Sequence, residues 1–250
     1  MELIFFALGA VIASFIGVLT ARLHTGECAL MGRSRCDACA APLPAHSLIP
    51  VFSYLVSAGR ARCCGARLLF SAPASEILLG ALFALAYARL GLTLALLFMF
   101  LSLALLMALV LYDLAHQILP ARLLYPFIAS SAAAGFFEAP SLDSFFSFVL
   151  IALLIFASLA LIHFFSRGRY MGFADAPFSF GCALLVGAAA LPGFIFSFWV
   201  GAFVGIGLLL KRPAGSRIGV EVPFAPFLAA GFLLAYFTQW NPFIFAAILP

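Results

Sequence analysis

Residues 92–113 read LTLALLFMFLSLALLMALVLYD, a mostly apolar stretch that is uncharged up to its last residue, Asp113. An α-helix needs about 20 apolar residues to cross the hydrocarbon core of a bilayer, so this stretch predicts a membrane span. The whole chain supports that interpretation, because 66% of its 250 residues are hydrophobic and 9% are charged, whereas soluble domains are about 25% charged. We therefore expect an all-α integral membrane protein that contacts the lipid bilayer and does not bind nucleic acid.

Further apolar runs lie on both sides of this stretch, separated by Pro, Gly or charged residues. Together they predict about eight transmembrane helices in a single polytopic domain that covers residues 1–250. The predicted spans are 3–23, 73–88, 92–112, 123–137, 145–165, 176–191, 194–210 and 224–237. The first run has no basic region before it and no small-residue cleavage signal after it, so we interpret it as a retained span.

Basic residues mark one side of this topology. When alternate loops are assigned to alternate sides, only Arg89 of the 13 Lys and Arg residues falls on the second side. The others are Arg22, Arg33, Arg35, Arg60, Arg62, Arg67, Arg122, Arg167, Arg169, Lys211, Arg212 and Arg217. Cytoplasmic loops carry the excess of Lys and Arg, so this side is predicted to be cytoplasmic. Residues 24–71 then form a large cytoplasmic loop, and both termini lie outside the cytoplasm.

Two aspartates are predicted at cytoplasmic helix ends. Asp113 follows a long apolar run, and a carboxylate at membrane depth costs at least ~2.5 kcal/mol on insertion scales. Taken alone, it is either a functional group or an interfacial carboxylate near Arg122. Asp175 precedes another apolar run, with Pro177 close behind it, so taken alone it is better explained as the cap of a helix start.

As a pair, the two carboxylates suit aspartic proteolysis. One ionised carboxylate takes a proton from the attacking water, while the other, still protonated, donates a hydrogen bond to the scissile carbonyl. The positive end of a helix dipole favours the anion at Asp175, and the negative end favours the protonated form at Asp113. The sequence thus suggests Asp175 as the base and Asp113 as the acid.

The predicted cytoplasmic loop carries four cysteines in two groups. Cys36 and Cys39 form a CxxC pair, and the adjacent residues Cys63 and Cys64 follow later in the same loop. Four thiols at this spacing predict a zinc knuckle. We interpret them as a structural zinc site, with unbound thiols and a redox pair as the alternatives, because a disulfide is disfavoured on a reducing face.

Glu76 is a carboxylate in the first turn of the second predicted span. Stabilisation of a helix start explains it, and a supporting role in an active site is the alternative. The four histidines, His163 among them, show no ligand spacing and are interpreted as interfacial residues.

The order and spacing of these motifs resemble the type IV prepilin peptidases, also called leader peptidases, over nearly the whole chain. The matching segments are 13–15, 34–39, 48–55, 59–64, Glu76, 113–114 with 119–120, 172–175 and 222–228. The resemblance implies an aspartic endopeptidase that removes the leader from prepilins or pseudopilins of pilus, type II secretion and competence systems. Asp113 and Asp175 map onto the family's catalytic aspartates, and Gly172 onto the first glycine of its Gly-x-Gly-Asp motif.

Many members of this family also methylate the new N-terminus with S-adenosylmethionine as the donor. Those members have a large first cytoplasmic loop with two CxxC pairs, and this chain has such a loop, so the resemblance implies both activities. Four positions depart from the family pattern: Ala174 replaces the second glycine of Gly-x-Gly-Asp, Ala61 replaces the first cysteine of the second pair, Gly17 stands where Asn is usual, and Ala121 where an acidic residue is common.

Three other functions are alternatives to the protease. A proton-coupled transporter would place its carboxylates near the bilayer midplane and usually carries an inverted repeat, whereas here both aspartates are predicted at one face and no repeat is evident. A thiol oxidoreductase would need paired cysteines on the oxidising side of the membrane, whereas these cysteines are predicted on the cytoplasmic side. A catalytically silent assembly protein for pili or secretion would share the fold, so the sequence leaves it open, as it leaves the oligomeric state.

Overall fold

The computed structural model describes residues 1–25, 36, 38–42, 50–68, 70–169, 171–211 and 223–242. Within these ranges the chain is helical, apart from turns and an isolated antiparallel bridge between Arg60 and Arg67. The basic residues Arg33, Arg35, Arg212 and Arg217 lie outside the described residues, as do motif positions 34–35, 37, 48–49 and 222.

The helices of the described chain follow the predicted apolar runs. They are α1 (Glu2–Thr25), α2 (Phe52–Val56), α3 (Ser71–Leu90), α4 (Leu94–His116), α5 (Ala121–Glu138), α6 (Leu142–Ser166), α7 (Asp175–Val186), α8 (Ala190–Lys211) and α9 (Ala225–Thr238). Each predicted span coincides with one of the longer helices, and only the short α2 was not predicted. Among the described residues, five segments are long and apolar enough to cross a membrane, with Asp175–Leu208 as one of them. The all-helical membrane fold is confirmed, and the number of eight spans stays a prediction.

The chain divides into two compact units, Met1–Leu96 and Leu97–Pro250. In the first unit α1 packs along α3, and two glycines allow the helix backbones to touch. A Cβ on Gly9 would lie 2.7 Å from the carbonyl oxygen of Leu79, and a Cβ on Gly80 would lie 2.8 Å from that of Phe6. Small residues at such crossings are the usual means of close helix packing in membranes.

In the second unit α7 is the central helix, with contacts to α5, α6, α8 and α9. All of its residues except Pro177 and Phe180 are buried. A Cβ at Gly181 would lie 2.6 Å from the ring of Phe127 on α5, so the close packing requires glycine there. Gly187, at φ +54°, ends α7 and leads through a 3-10 turn into α8. The first residue of this enclosed helix is Asp175.

Candidate active site

Asp113 lies in the last turn of α4, with its side chain inside the second unit. The residue is 6% exposed, and its Oδ2 atom is buried without a hydrogen-bond partner among the described residues. The backbone N–H of Ala225, the first residue of α9, is directed at the carboxylate. A buried carboxylate is stable only when its oxygens meet donors, so Oδ2 marks a place where a water molecule or a substrate group can bind.

Asp175 is the first residue of α7 and is 9% exposed. Its backbone N–H donates to the carbonyl of Gly172 over 3.3 Å. The backbone N–H of Gly172 in turn is directed at the Asp175 carboxylate. A Cβ on Gly172 would lie 3.6 Å from Oδ2 of Asp175, which is ordinary van der Waals contact. Gly172 therefore supports this carboxylate with its backbone.

The structure brings the two predicted aspartates together. Although they are far apart in the sequence, the charge of Asp113 acts on the carboxylate of Asp175. Both carboxylates also meet the positive end of a helix, since Asp175 begins α7 and Asp113 faces the N–H of Ala225 at the start of α9. At Asp113 the negative end of α4 opposes the positive end of α9, whereas only a positive helix end acts on Asp175. Helix dipoles therefore still favour the anion at Asp175, by a smaller margin than α4 and α7 alone suggest.

Ala174 departs from the family pattern without backbone strain. Its φ of −65° and ψ of −19° are ordinary right-handed helical values, which any L-residue adopts. A glycine is not needed at this position for its conformational freedom, and alanine leads into α7 as well.

The segment at the start of α9 contributes a group to which sequence reasoning gave no role. Ala225 is fully buried, and Pro226 follows it in the first helical turn. Proline at a helix start is a common N-terminal signal, and it leaves the N–H groups before it free to bind an anion. Pro223 and Pro226, on either side of Ala225, are the sequence signal that indicates a helix N-terminus here.

The acidic residue Glu138 lies at the other end of α9. Its carboxylate oxygens accept hydrogen bonds from the Tyr236 hydroxyl over 3.0 and 2.9 Å. Ala225 and Tyr236 are separated by about 16 Å along the helix, at about 1.5 Å per residue. Glu138 and the aspartate pair therefore lie at opposite ends of the second unit, as expected if they face opposite sides of a membrane.

The four predicted cysteines form one cluster in the first unit. The Sγ atoms of Cys36, Cys39, Cys63 and Cys64 all lie within 4.8 Å of one another. The distances are 3.3 Å between Cys39 and Cys63, 3.8 Å between Cys36 and Cys64, and 3.9 Å between Cys63 and Cys64. Four thiolates bound to Zn²⁺ at about 2.3 Å in a tetrahedron lie about 3.8 Å apart. The cluster thus fits a metal ion of this size, and the adjacent cysteines both take part.

Two short turns that share the same hydrogen-bond pattern form the cluster. In the first turn, Cys36 N–H donates to Ala41 over 2.9 Å, and Ala40 N–H donates back to Cys36 over 2.8 Å. In the second, the N–H of Ala61 donates to Ala66 over 2.8 Å, and Gly65 N–H donates back over 2.7 Å. Ala61 therefore takes the place of Cys36, and the thiol of Cys63 supplies the sulfur that position 61 lacks.

The thiols differ in how readily they ionise. The backbone N–H groups of Cys39 and Ala38 stabilise the thiolate of Cys36 and lower its pKa to about 7. Hydrogen bonds with the thiols of Cys39 and Cys36 raise the pKa of Cys63 to about 12. A cluster of four thiols therefore needs a cation before all of its members lose their protons, and a bound metal ion provides that charge.

Glu76 lies in the first unit, on α3. It binds the segment that connects the two groups of cysteines. It is 8% exposed, and its Oε2 accepts a hydrogen bond from the backbone N–H of Val51 over 2.7 Å. Val51 has a positive φ of 60°, which is unusual for a β-branched residue. Glu76 thus fixes a strained turn of the loop on the first turns of α3.

Comparisons with known proteins find matches over most of the chain. The bacterial peptidase A24 N-terminal domain matches residues 7–90, and the type IV leader peptidase family matches residues 100–210. The chain is 32% identical over 238 residues to a prepilin leader peptidase/N-methyltransferase of Bacillus subtilis, covering 93% of this chain and 92% of that protein. Proteins with the same name from Myxococcus xanthus and Dichelobacter nodosus are both 31% identical, covering 85% and 82% of this chain and 64% and 71% of theirs. No solved structure matches significantly.

Proposed function

The chain belongs to the type IV leader peptidase family, and on that basis we propose that it is an aspartic endopeptidase that cleaves prepilins or pseudopilins. It removes their leader peptides at the cytoplasmic face of the bacterial inner membrane. The observation that carries this proposal is the pairing of Asp113 and Asp175, two buried carboxylates whose charges interact inside an apolar helical unit.

The proposed reaction needs one proton shared by the pair. Two close carboxylates avoid a double negative charge by holding one proton between them. The ionised carboxylate removes a proton from a water molecule as its oxygen attacks the scissile carbonyl. The protonated carboxylate donates a hydrogen bond to the carbonyl oxygen, on which negative charge develops. The N–H groups of Ala225 and Gly172 hold the two carboxylates in place.

A second proposed activity is methylation of the N-terminus that cleavage exposes. The names of the curated relatives, which include N-methyltransferase, support this proposal. The methyl donor would be S-adenosylmethionine, which supplies an electrophilic methyl group for the new amine. The loop between α1 and α3 is the part of this chain that the family's bifunctional members share.

We also propose that Cys36, Cys39, Cys63 and Cys64 hold a structural zinc ion. The support is their mutual approach within 4.8 Å and the soft thiolate donor set, which suits Zn²⁺. Zinc would neutralise the thiolates and fix the two turns against each other. A chain segment as short as residues 36–68 has little apolar core, so a metal ion is the kind of cross-link that such segments use.

The protease proposal is tested by co-expression with a prepilin in a host that lacks its own processing enzyme. Wild-type protein is expected to shorten the prepilin, and N-terminal sequencing of the product locates the cut. Asp113→Asn and Asp175→Asn keep the side-chain shape and are expected to abolish cleavage. Asp143→Asn is the matched control, because Asp143 is an exposed aspartate in the first turn of α6. Processing by both active-site variants would exclude the aspartic mechanism, and none by the wild type would favour a silent assembly protein.

A further inference from the structure

His163 lies in the last turn of α6, against the connection that leads to Asp175. Its Nδ1 atom is 2.8 Å from the carbonyl oxygen of Met171. Its ring contacts the ring of Phe173 with centroids 5.6 Å apart, and a Cβ on Gly168 would lie 3.3 Å from its Cε1 atom. The connection therefore wraps around the imidazole, which is half-buried.

The chemistry of the contact fixes the direction of the hydrogen bond. A carbonyl oxygen only accepts, so Nδ1 of His163 carries the proton and donates a hydrogen bond to the carbonyl oxygen of Met171. The backbone carbonyl of His163 also accepts the N–H of Gly168 over 3.0 Å, which closes the end of α6. One residue therefore holds both the beginning and the later part of the connection between α6 and α7.

The acceptor of this bond belongs to the peptide group that supports Asp175. The carbonyl of Met171 and the N–H of Gly172 form one planar amide, so fixing the carbonyl also fixes the direction of the N–H. Gly172 lies against Asp175: a Cβ on Gly172 would be 3.6 Å from Oδ2 of Asp175, and its carbonyl accepts the Asp175 N–H over 3.3 Å. Its own N–H is directed at the Asp175 carboxylate. A donor on the carbonyl also polarises the amide and increases the partial positive charge of the N–H that faces Asp175.

We propose that His163 is a positioning residue that orients Asp175 through the peptide group between Met171 and Gly172. It touches neither the substrate nor the second aspartate in this scheme, and it acts only by holding one hydrogen-bond donor of Asp175 in place. The inference rests on the proposed protease function and adds a residue that sequence reasoning placed among interfacial histidines.

Two variants separate the hydrogen bond from the packing of the ring. His163→Phe keeps an aromatic ring against Phe173 and Gly168 but has no donor. His163→Asn loses the ring, but its side-chain amide nitrogen reaches about the position of Nδ1 and still donates to Met171. A purely structural role would favour the phenylalanine variant, whereas the proposed role favours the asparagine variant.

The test uses the full chain, purified in detergent micelles, and measures kcat and KM on a purified prepilin. Loss of positioning at a catalytic group costs about tenfold to a hundredfold in rate. His163→Phe is expected to lower kcat by that factor with KM unchanged, and His163→Asn to stay within about threefold of the wild type. If His163→Phe is not recovered as folded protein, His163→Met, which also lacks a donor, replaces it with the same expectations.

Three outcomes overturn the inference: wild-type kcat in the variant without a donor, an equal loss in both variants, or a change confined to KM. Asp175→Asn, assayed alongside, separates this failure from that of the proposed function. If Asp175→Asn still cleaves, the aspartic mechanism is wrong. If it is inactive while His163→Phe is fully active, only the role of His163 is wrong.

Discussion

Ala61 occupies in the second cysteine turn the position that Cys36 occupies in the first. Both residues are buried, at 5% and 6% exposure, and both accept and donate the same pair of backbone hydrogen bonds within their turns. Ala61 therefore keeps the backbone fold of the first cysteine turn without its first thiol. The thiol of Cys63, two residues later, lies 3.3 Å from that of Cys39 and completes the set of four.

This equivalence predicts that a thiol at position 61 can replace the thiol of Cys63 as the fourth zinc ligand. Cys63→Ala is expected to lose most of the bound zinc, because three thiolates alone hold the ion weakly. The double variant Ala61→Cys/Cys63→Ala restores the CxxC spacing and is expected to bind about one zinc ion per chain, the content also expected of the wild type. Metal analysis of purified protein measures both.

Cys182→Ala is the control for these variants, since Cys182 is buried in α7 and belongs to the second unit. Its zinc content is expected to equal that of the wild type. Full zinc occupancy in Cys63→Ala would contradict the role of that thiol, and low occupancy in the double variant would show that the two turns are not equivalent.

Glu76 gives a second prediction, about the loop rather than the metal. Its carboxylate accepts the N–H of Val51 over 2.7 Å, and Glu76→Ala leaves that donor without its acceptor. The loss of such a partner costs about 1–3 kcal/mol when the group stays desolvated. Hydrogen exchange at residues 50–56 is therefore expected to be faster in Glu76→Ala.

The matched variant is Glu76→Gln, whose side-chain oxygen still accepts the hydrogen bond. Its exchange rates are expected to stay near those of the wild type. Equal rates in all three proteins would mean that Glu76 does not hold the Val51 turn, and equal acceleration in both variants would mean that the negative charge is what matters.

The helices were predictable because each apolar run is long and ends at Pro, Gly or charge. The run that became α4 is uncharged up to Asp113, and no soluble element has that composition. The short α2 was missed because five residues carry too little periodicity to be distinguished from a loop. The number of spans is not decided by apolarity alone, because α7 has only 12 residues and runs through a single 3-10 turn into α8.

The carboxylate pair was predictable from residue type and position, whereas its supports were not. Carboxylates such as those of Asp113 and Asp175 are costly in membrane helices and are rare there without a function, so they can be recognised in the sequence. The groups directed at them are the backbone N–H groups of Ala225 and Gly172. Every residue except proline has such a group, so tertiary packing alone selects these two. The bond from His163 to Met171 is hidden for the same reason, since its acceptor is a backbone carbonyl.

A third prediction concerns the alanine before Asp175. Because Ala174 has helical φ and ψ values, restoring the family's glycine there gives no conformation that alanine lacks. Ala174→Gly is therefore expected to leave kcat within about twofold of the wild-type value. The prepilin cleavage assay measures this, and a large rise in kcat would show that a different backbone conformation is used during catalysis.

The last prediction separates stability from catalysis along α9. Tyr236 is 1% exposed, and its hydroxyl donates to both carboxylate oxygens of Glu138. Tyr236→Phe keeps the buried ring and removes the donor, which costs about 1 kcal/mol for a typical hydrogen bond. This site is about 16 Å along the helix from Ala225, whose N–H supports Asp113. Thermal unfolding in detergent is therefore expected at a lower temperature, while kcat for prepilin cleavage stays unchanged. A loss of kcat without a lower unfolding temperature would mean that the far end of α9 controls the position of Ala225.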